Sequence, residues 1–281
     1  MPSAAAPPSR SYMLGHSADE LNRLIDQSRF FGDLTHSVLQ AAGVDKGMRV
    51  LDIGCGVGDV SFLAARLVGP DGEVIGVDTS PEAIAVATRR ADAAGLANVR
   101  FVIRDATDLT LDEPVDALVG RLVLMYFADP AVMLRRLLGV VKPGGIVAFQ
   151  EIDMETATSA PRCPVFETAV ERIKEAFTRG GCDIRTGLKL ARIFQEAGLP
   201  APCMNLGARI ESGPDAAIYE QPALVTRSLL PIMERTGLAS AAEVDVDTLA
   251  ARIREEAVAL EATLVSPALI GAWTHNTQAK G

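Results

Sequence analysis

Between Arg49 and Ile152 the sequence alternates apolar, strand-like segments with amphipathic, helix-like ones. The helical segments begin at residues such as Pro81 and end near glycines such as Gly95, as capping preferences require. Near-continuous apolar strands separated by such helices are typical of a parallel sheet covered by helices on both faces. We therefore predict an α/β, doubly wound fold, with strands at 48–54, 73–78, 99–105, 115–122 and 146–152.

The composition argues against several classes of function. Of the 281 residues 48% are hydrophobic, and the 36 acidic and 27 basic residues give a formal net charge of −9. A protein that neutralises many phosphates needs a basic excess, so we expect no nucleic-acid or anionic-membrane partner. The four cysteines include no C-x-x-C pair and the three histidines form no cluster, so no metal site is expected. No apolar run approaches the length of about 18 residues that a membrane span needs.

The chain outside the alternating region is predicted to be mainly helical. Residues 1–11 lack a signal-peptide pattern, and we expect a flexible tail on a cytoplasmic protein. Residues 12–48 are assigned to a helical cover, with a capping box at Ser17 and Glu20 and a second helix that begins at Asp33. The sheet domain is assigned to 49–160, 181–212 and 263–277, with late strands at 203–211 and 266–274. The segments 161–180 and 213–262 are assigned to a helical substrate lid, or alternatively to a packing elaboration over the sheet edge.

The segment "VLDIGCGVGD" (50–59) joins the first strand to the first helix of the sheet. Its glycines allow a sharp turn and a close approach to a ligand. Two carboxylates, Asp52 and Asp59, flank this loop and would repel the pyrophosphate that a dinucleotide places at such a helix N-terminus. A ligand with an ammonium or sulfonium group and no phosphate fits the loop better.

Two further carboxylates end the second and third strands. Asp78 is placed to accept the two hydroxyls of a ribose, with a helix N-cap as the alternative role. Asp105 is placed to accept a hydrogen bond from an adenine amino group, with an ordinary turn aspartate as the alternative. Together with Asp52, these residues indicate an adenosine that carries a cationic tail.

At this point the sequence resembles the class I S-adenosylmethionine-dependent methyltransferases, over about Arg49–Ile152. The matching motifs are "VLDIGCGVGD" (50–59), "GVDTS" (76–80), "RDATDL" (104–109), "LVGRLVLMYFADP" (118–130) and "VKPGGIVAFQE" (141–151). The resemblance implies a mostly parallel, seven-stranded sheet whose last strand is antiparallel, and S-adenosylmethionine as the cofactor. It also implies that Asp52 and the loop residues Gly54, Cys55 and Gly56 hold the methionine part, Asp78 and Thr79 the ribose, and Asp105 and Ala106 the adenine edge, while Arg121 and Leu122 line the cofactor.

The sequence narrows the methyl acceptor to small molecules. Enzymes that methylate the amines of nucleic-acid bases resemble one another in an Asn/Asp-Pro-Pro-aromatic run after strand four, and Gly120–Val123 stands there instead. The segment "YMLGHSADELNRLIDQSRFF" (12–31) is similar to bacterial secondary-metabolite enzymes, among them indole C3-methyltransferases of alkaloid and cyclodipeptide pathways. We expect an apolar or aromatic natural-product intermediate, with indole C3-methylation as the specific hypothesis. The alternatives are N- or O-methylation of another metabolite, or an NAD-dependent oxidoreductase on a similar sheet.

Several residues are candidates for contact with the reacting groups. Glu151 closes strand five and is a candidate to orient or deprotonate the acceptor, or else a solvated or capping carboxylate. Tyr12 is a candidate to close over the sulfonium, with an ordinary anchor for the N-terminal arm as the alternative. Arg29 is a candidate partner of the cofactor carboxylate, with a surface arginine as the alternative. Candidate pocket residues, with core packing as the alternative, are Phe30, Phe31, Met125, Tyr126 and Phe127. A homodimer is allowed for.

Overall fold

The computed structural model describes residues 14–15 and 18–277. The strands are β1 (Arg49–Ile53), β2 (Glu73–Asp78), β3 (Val99–Ile103), β4 (Val115–Arg121), β5 (Val141–Asp153), β6 (Thr158–Ala160), β7 (Cys203–Gly207), β8 (Ile210–Glu211), β9 (Thr263–Val265) and β10 (Ala268–His275). The helices are α1 (Ala18–Ala42), α2 (Asp59–Val68), α3 (Pro81–Ala93), α4 (Pro130–Leu137), α5 (Pro164–Arg179), α6 (Thr186–Glu196), α7 (Glu220–Arg235), α8 (Ala241–Val244) and α9 (Val246–Ala259).

The main sheet has seven strands in the order β3-β2-β1-β4-β5-β10-β7. The strands from β3 to β5 pair in parallel, and β10 pairs antiparallel with both of its neighbours, β5 and β7. The predicted fold class, a doubly wound and mostly parallel sheet with an antiparallel last strand, is confirmed. Chain order reverses between β1 and β4, and this switch point is where ligands of such sheets bind.

Alternate side chains of each strand belong to opposite faces of the sheet. Val50 packs with residues of α1 and α2, whereas Leu51 and Ile53 pack with residues of α4 and α6. These strand residues are at most 1% exposed. Two layers of helices therefore bury both faces, which explains why the strands read as nearly continuous apolar runs.

Helix α1 corrects the prediction for the N-terminal cover. It runs unbroken through Asp33, which therefore does not begin a second helix. The side chain of Asp33 pairs instead with Arg209. The helix continues because Phe31 and Val38, together with the half-buried Leu34, form one apolar stripe toward the core. Ser17 of the predicted capping box, and the predicted tail 1–11, lie outside the described residues.

The predicted lid segments form helices, and a small sheet that was not predicted is built from residues that directly flank these segments. Helix α5 packs against α7, and α7 packs against α9. The predicted strand 203–211 is divided, because β7 leaves the main sheet at Gly207 and β8 joins a second sheet in the order β6-β9-β8. Strands of two or three residues are too short to produce a periodic pattern. The assignment of these segments to a substrate lid stays a prediction.

Within the described part of the chain, no helix is long and apolar enough to cross a bilayer.

The unbroken course of α1 can be tested at Gly32. A Cβ on Gly32 would meet no atom within 4 Å, so Gly32→Ala should raise the free energy of unfolding. We expect a gain of about 0.5–1 kcal/mol in urea denaturation, because alanine has the higher helix propensity. The matched control is Gly58→Ala, which should destabilise the protein because Gly58 has a φ of 92° and its Cβ would lie 2.8 Å from Phe62 and Phe101. Destabilisation by Gly32→Ala would mean that α1 is interrupted there.

Candidate active site

A cavity of about 270 Å³ lies at the carboxyl ends of the parallel strands. The loops after β1, β2, β3 and β4 form its floor, α1 contributes one wall, and α5, α7 and residues 266–267 contribute the remainder. The structure brings most of the predicted cofactor residues to this cavity. They are Gly54, Cys55, Gly56, Asp78, Thr79, Asp105, Ala106, Arg121 and Leu122.

The loop between β1 and α2 depends on glycine for its path. Gly54, Gly56 and Gly58 have positive φ values of 65°, 51° and 92°. A Cβ on Gly54 would lie only 2.5 Å from Cγ2 of Val123, in the turn that follows β4. The loop can therefore approach this turn, and a ligand, with bare main chain.

Asp78 ties this loop to the end of β2. Its Oδ2 accepts a 2.9 Å hydrogen bond from the backbone N of Gly56, and its Oδ1 accepts one of 2.9 Å from the backbone N of Ser80. The N-cap of α3 is Ser80, whose Oγ accepts a hydrogen bond from Ala83, so the capping role considered for Asp78 belongs to Ser80. Each oxygen of Asp78 has a further lone pair, which suits the two hydroxyls of a ribose.

Asp105 combines the two roles that the sequence left open. Its Oδ1 accepts a 2.8 Å hydrogen bond from the backbone N of Thr107 and caps the short turn Ala106–Asp108. Asp105 and Ala106 also line the cavity. The turn therefore presents a carboxylate and a main-chain segment to a bound ligand.

Asp59 is less available to a ligand than its sequence position suggested. Its Oδ1 pairs with Nη2 of Arg90 at 2.7 Å, and Nη1 of Arg90 donates to the carbonyl O of Val57. This ion pair offsets the negative charge at the start of α2, so the repulsion of a phosphate by Asp59 is weaker than we expected.

Asp52 lies outside the cavity lining and is only 1% exposed. Its Oδ2 accepts a 2.6 Å hydrogen bond from Oγ of Ser61, while Oδ1 has no hydrogen-bond partner among the described residues. Burial raises the pKa of Asp52 to about 7, although the hydrogen bond from Ser61 and the charge of Arg121 act in the opposite direction. A buried acceptor without a donor is uncommon. Since Asp52 does not line the cavity, its predicted contact with the methionine part of the cofactor stays a prediction.

Arg121 connects the cavity to a buried polar chain. Its Nη1 donates a 3.0 Å hydrogen bond to Oγ1 of Thr35, which in turn donates one of 2.7 Å to Oε1 of Gln150. Burial lowers the pKa of Arg121, and the charges of Asp59 and Asp52 oppose this effect. An arginine stays protonated in proteins, so Arg121 brings a fixed positive charge to the cavity wall.

A buried arginine, Arg23, was missed by the sequence analysis. It lines the cavity, and its guanidinium contacts both carboxylate oxygens of Glu20, at 2.7 and 2.6 Å. Glu20 also accepts a 2.6 Å hydrogen bond from Oγ of Ser228, so the ion pair links α1 to α7. The only signal in the sequence is the i,i+3 spacing of opposite charges, which resembles an ordinary surface pair.

The structure contradicts a catalytic role for Glu151 through contact with the acceptor. Glu151 is fully buried and is not part of the cavity lining, whereas the next residue, Ile152, is. Strand alternation places Glu151 on the face of Phe149, away from the cavity. Its Oε1 accepts hydrogen bonds from the backbone N of Val123 and Leu124, at 2.9 and 2.7 Å. The capping alternative is therefore the one that the structure supports.

Two of the predicted contact residues fall outside what the structure describes. These are Tyr12 and the side chain of Arg29, and their roles stay predictions. The predicted pocket residues all line the cavity, namely Phe30, Phe31, Met125, Tyr126 and Phe127.

The cavity has a second region that the sequence did not identify residue by residue. Its walls come from α1, the turn after β4, the end of β5, α5, and α7 with the turn that precedes it, and they are predominantly apolar. The wall residues that the sequence analysis did not single out include Ile152, Met154, Phe166, Val170, Ile173, Phe177, Ile218 and Val225. The cavity thus joins a floor rich in hydrogen-bonding groups to an apolar chamber.

The floor fits S-adenosylmethionine in its donor and acceptor set. The lone pairs of Asp78 suit the ribose, and the glycine loop presents bare main chain to the cavity at Gly54 and Gly56. The unpartnered Oδ1 of Asp52 suits an ammonium group.

Comparison with known proteins places this arrangement in a family. Residues 44–198, more than half of the chain, match the family described as "Methyltransferase domain". A demethylmenaquinone methyltransferase of Staphylococcus aureus is 36% identical over 131 residues, which are 46% of this chain and 51% of that protein. An uncharacterized 37.1 kDa protein in transposon TN4556 of Streptomyces fradiae is 32% identical over 167 residues, 59% of this chain and 47% of that protein.

The chain therefore spans about half the length of the curated relatives that it matches. Among solved structures, a SAM-dependent methyltransferase from Aquifex aeolicus has the same fold, with a TM-score of 0.50 and 22% identity over 70% of this chain and 93% of that one. The family match and the five motifs lead to one conclusion: the chain belongs to the methyltransferase-domain family, and S-adenosylmethionine is its cofactor.

Proposed function

We propose that this protein transfers the methyl group of S-adenosylmethionine to a small, predominantly apolar acceptor. The observation that carries the proposal is the apolar chamber that continues from the cofactor floor. Pockets lined by aromatic and aliphatic side chains, with few polar groups, suit small apolar molecules. The negative formal charge of −9 argues against a nucleic-acid acceptor.

The polar floor would bind the cofactor through the residues described above. Asp78 and Thr79 would hold the ribose, and Asp105 and Ala106 the adenine edge. The methionine end is zwitterionic. Arg121, on the cavity wall, would pair with its carboxylate, and Asp52, beside the lining residue Ile53, would pair with its ammonium. Leu122, Gly54, Cys55 and Gly56 would shape the wall around this end.

The cofactor supplies a methyl group on a sulfonium, whose leaving group is already activated. The chain's own contribution is then to align the acceptor and to exclude water. Apolar side chains such as Phe166, Ile173 and Phe177 would exclude water from the chamber. The buried pair of Arg23 and Glu20 would keep α1 closed over the floor by its bond to the lid.

The polar groups of the chamber favour acceptors that react without prior deprotonation. Among the described residues, the only carboxylates in the cavity lining are Asp59, Asp78 and Asp105, on the cofactor loops, and no histidine lines it. Lys174 lines the chamber, and its Nζ is held by Glu155 and Glu171 at 2.7 and 2.8 Å. An electron-rich aromatic carbon, such as C3 of an indole, or a neutral amine attacks a sulfonium without a base. We therefore keep indole C3-methylation as the specific hypothesis, ahead of N-methylation and then O-methylation.

The ribose role of Asp78 predicts a loss of cofactor affinity when its carboxylate is removed. Asp78→Ala should weaken binding of S-adenosylhomocysteine by about 100-fold, because two ribose hydroxyls and the N–H group of Gly56 lose their acceptor. Titration calorimetry measures the affinity, and circular dichroism checks the fold. Asp112→Ala removes an exposed carboxylate elsewhere and is the matched control. Equal affinities of the two variants would contradict the ribose role.

The role of Asp52 predicts a pH dependence of cofactor binding. Its pKa of about 7 in the free protein means that it binds a proton as the pH falls below 7. An ammonium group favours the carboxylate, so affinity for S-adenosylhomocysteine should fall as the pH is lowered from 8 to 6, over about one unit on each side of that pKa. Asp52→Asn should bind more weakly at pH 8 and lack this component of the pH profile. Glu151 is present in both the wild type and Asp52→Asn, so its own titration cancels in the comparison. Parallel profiles of affinity against pH for the two proteins would contradict the role of Asp52.

The acceptor class can be tested with a panel of indoles, amines and phenols and methyl-labelled S-adenosylmethionine. We expect methylation of an apolar indole or amine, with mass spectrometry identifying the methylated atom. Val170→Trp, which fills the chamber, should reduce this turnover by about tenfold or more while leaving affinity for S-adenosylhomocysteine unchanged. Thr168→Trp, on the exposed side of α5, is the control. Methyl transfer to tRNA or protein and to no small molecule would refute the proposal.

A further inference from the structure

Glu151 is a buried carboxylate that the proposed reaction does not use. It lies two residues before the end of β5 with no exposed surface, and its Oε2 has no hydrogen-bond partner among the described residues. Burial raises its pKa to about 7, against the lowering effect of the backbone N–H groups of Leu124, Val123 and Met125. A group that is costly to bury and does not touch the cavity needs another physical reason for its place in the core.

That reason is the turn that follows β4. Three consecutive backbone N–H groups of the turn donate hydrogen bonds to two consecutive residues of β5. Leu122 donates to the carbonyl O of Gln150 at 2.8 Å, and Val123 and Leu124 donate to Oε1 of Glu151 at 2.9 and 2.7 Å. Without the Glu151 carboxylate, the last two donors would be buried and unsatisfied.

The turn has a conformation that needs such support. Leu122 has a φ of 53°, which is in the left-handed region that residues other than glycine rarely adopt. Strained backbone of this kind persists where the surrounding structure holds it, and it clusters at functional sites. The hydrogen bonds to Gln150 and Glu151 flank the strained residue directly.

The same turn shapes both parts of the cavity. Leu122, Val123 and Met125 all line it. Val123 also presses against the glycine loop, because its Cγ2 would be 2.5 Å from a Cβ on Gly54. A displacement of the turn would therefore move a wall of the cavity and release its contact with the glycine loop at once.

We propose that Glu151 is a positioning residue, which fixes the turn after β4 and thereby the geometry of the glycine loop, without touching cofactor or acceptor. The hydrogen-bond acceptor at Oε1 carries this role. The inference rests on the cavity floor being the cofactor site, and it is independent of the acceptor class in the proposed function.

Three variants separate this role from ordinary core packing. Glu151→Gln keeps an oxygen for the two N–H groups, whereas Glu151→Ala removes it. Leu190→Ala is the matched control, because Leu190 is fully buried in α6, which packs on β5 as well. The probe is S-adenosylhomocysteine, whose binding requires no acceptor, so a wrong acceptor class cannot affect the result.

We expect Glu151→Ala to lose about tenfold or more in affinity for S-adenosylhomocysteine, and Glu151→Gln and Leu190→Ala to stay within about threefold of the wild type. Melting temperatures should fall in both alanine variants. Because only Glu151→Ala should also lose affinity, destabilisation alone would not explain that loss. Amide hydrogen exchange at Val123 and Leu124 should accelerate in Glu151→Ala and not in Glu151→Gln.

Wild-type affinity in Glu151→Ala would overturn the proposal, and so would a Glu151→Gln variant as weak as Glu151→Ala, since that result would assign the effect to charge. Should Glu151→Ala fail to fold, Glu151→Asp provides the same test, because its shorter side chain withdraws the acceptor oxygen from the turn. An Asp variant with wild-type affinity and exchange rates would then overturn the proposal.

Discussion

At the switch point of the sheet, the loop after β1 and the turn after β4 approach so closely that Gly54 has no room for a Cβ beside Val123. This contact joins the carboxyl ends of two neighbouring strands into one surface. The other floor groups are arranged around it: Asp78 holds the loop from the side of β2 through Gly56, and Glu151 holds the turn from the side of β5. The cofactor floor is therefore a set of main-chain segments braced by carboxylates.

This arrangement places several ionisable side chains close together in a region with little access to water. Burial raises the pKa of Asp52 and Glu151 and lowers the pKa of Arg121, so that in each case the neutral form is favoured. Groups of this kind cost folding free energy unless they are paired, and they cluster at functional sites. In our account a zwitterionic ligand would supply partners to Asp52 and Arg121, whereas Glu151 already has its partners in the backbone.

The sequence predicted the floor well because each of its residues follows a recognisable strand. Asp78 and Asp105 could be placed at one sheet edge from the alternation of strands and helices alone. The apolar chamber could not be placed in this way, since α5 and α7 come from distant segments whose packing has no local signature. Glu20 was assigned to a capping box and Arg23 was not singled out, because the contact that Glu20 makes with α7 joins segments far apart in the sequence.

The two clearest errors have the same origin. Asp33 is a good N-cap residue, yet the apolar stripe through Leu34 and Val38 carries α1 past it, so tertiary packing outweighed a local preference. Glu151 ends its strand at the edge where active-site residues gather, but strand alternation places it on the opposite face. Which face a strand-end residue occupies depends on register, and register was not fixed by the motifs.

The central claim is that the polar floor holds the cofactor so that its sulfonium faces the apolar chamber. A crystal structure of the complex with S-adenosylhomocysteine tests this directly. The account predicts the ribose hydroxyls on Asp78, the amino group near Asp52, and the sulfur directed toward the chamber walls at Phe166 and Ile173. Density for the ligand outside this cavity, or a sulfur that faces away from the chamber, would contradict it.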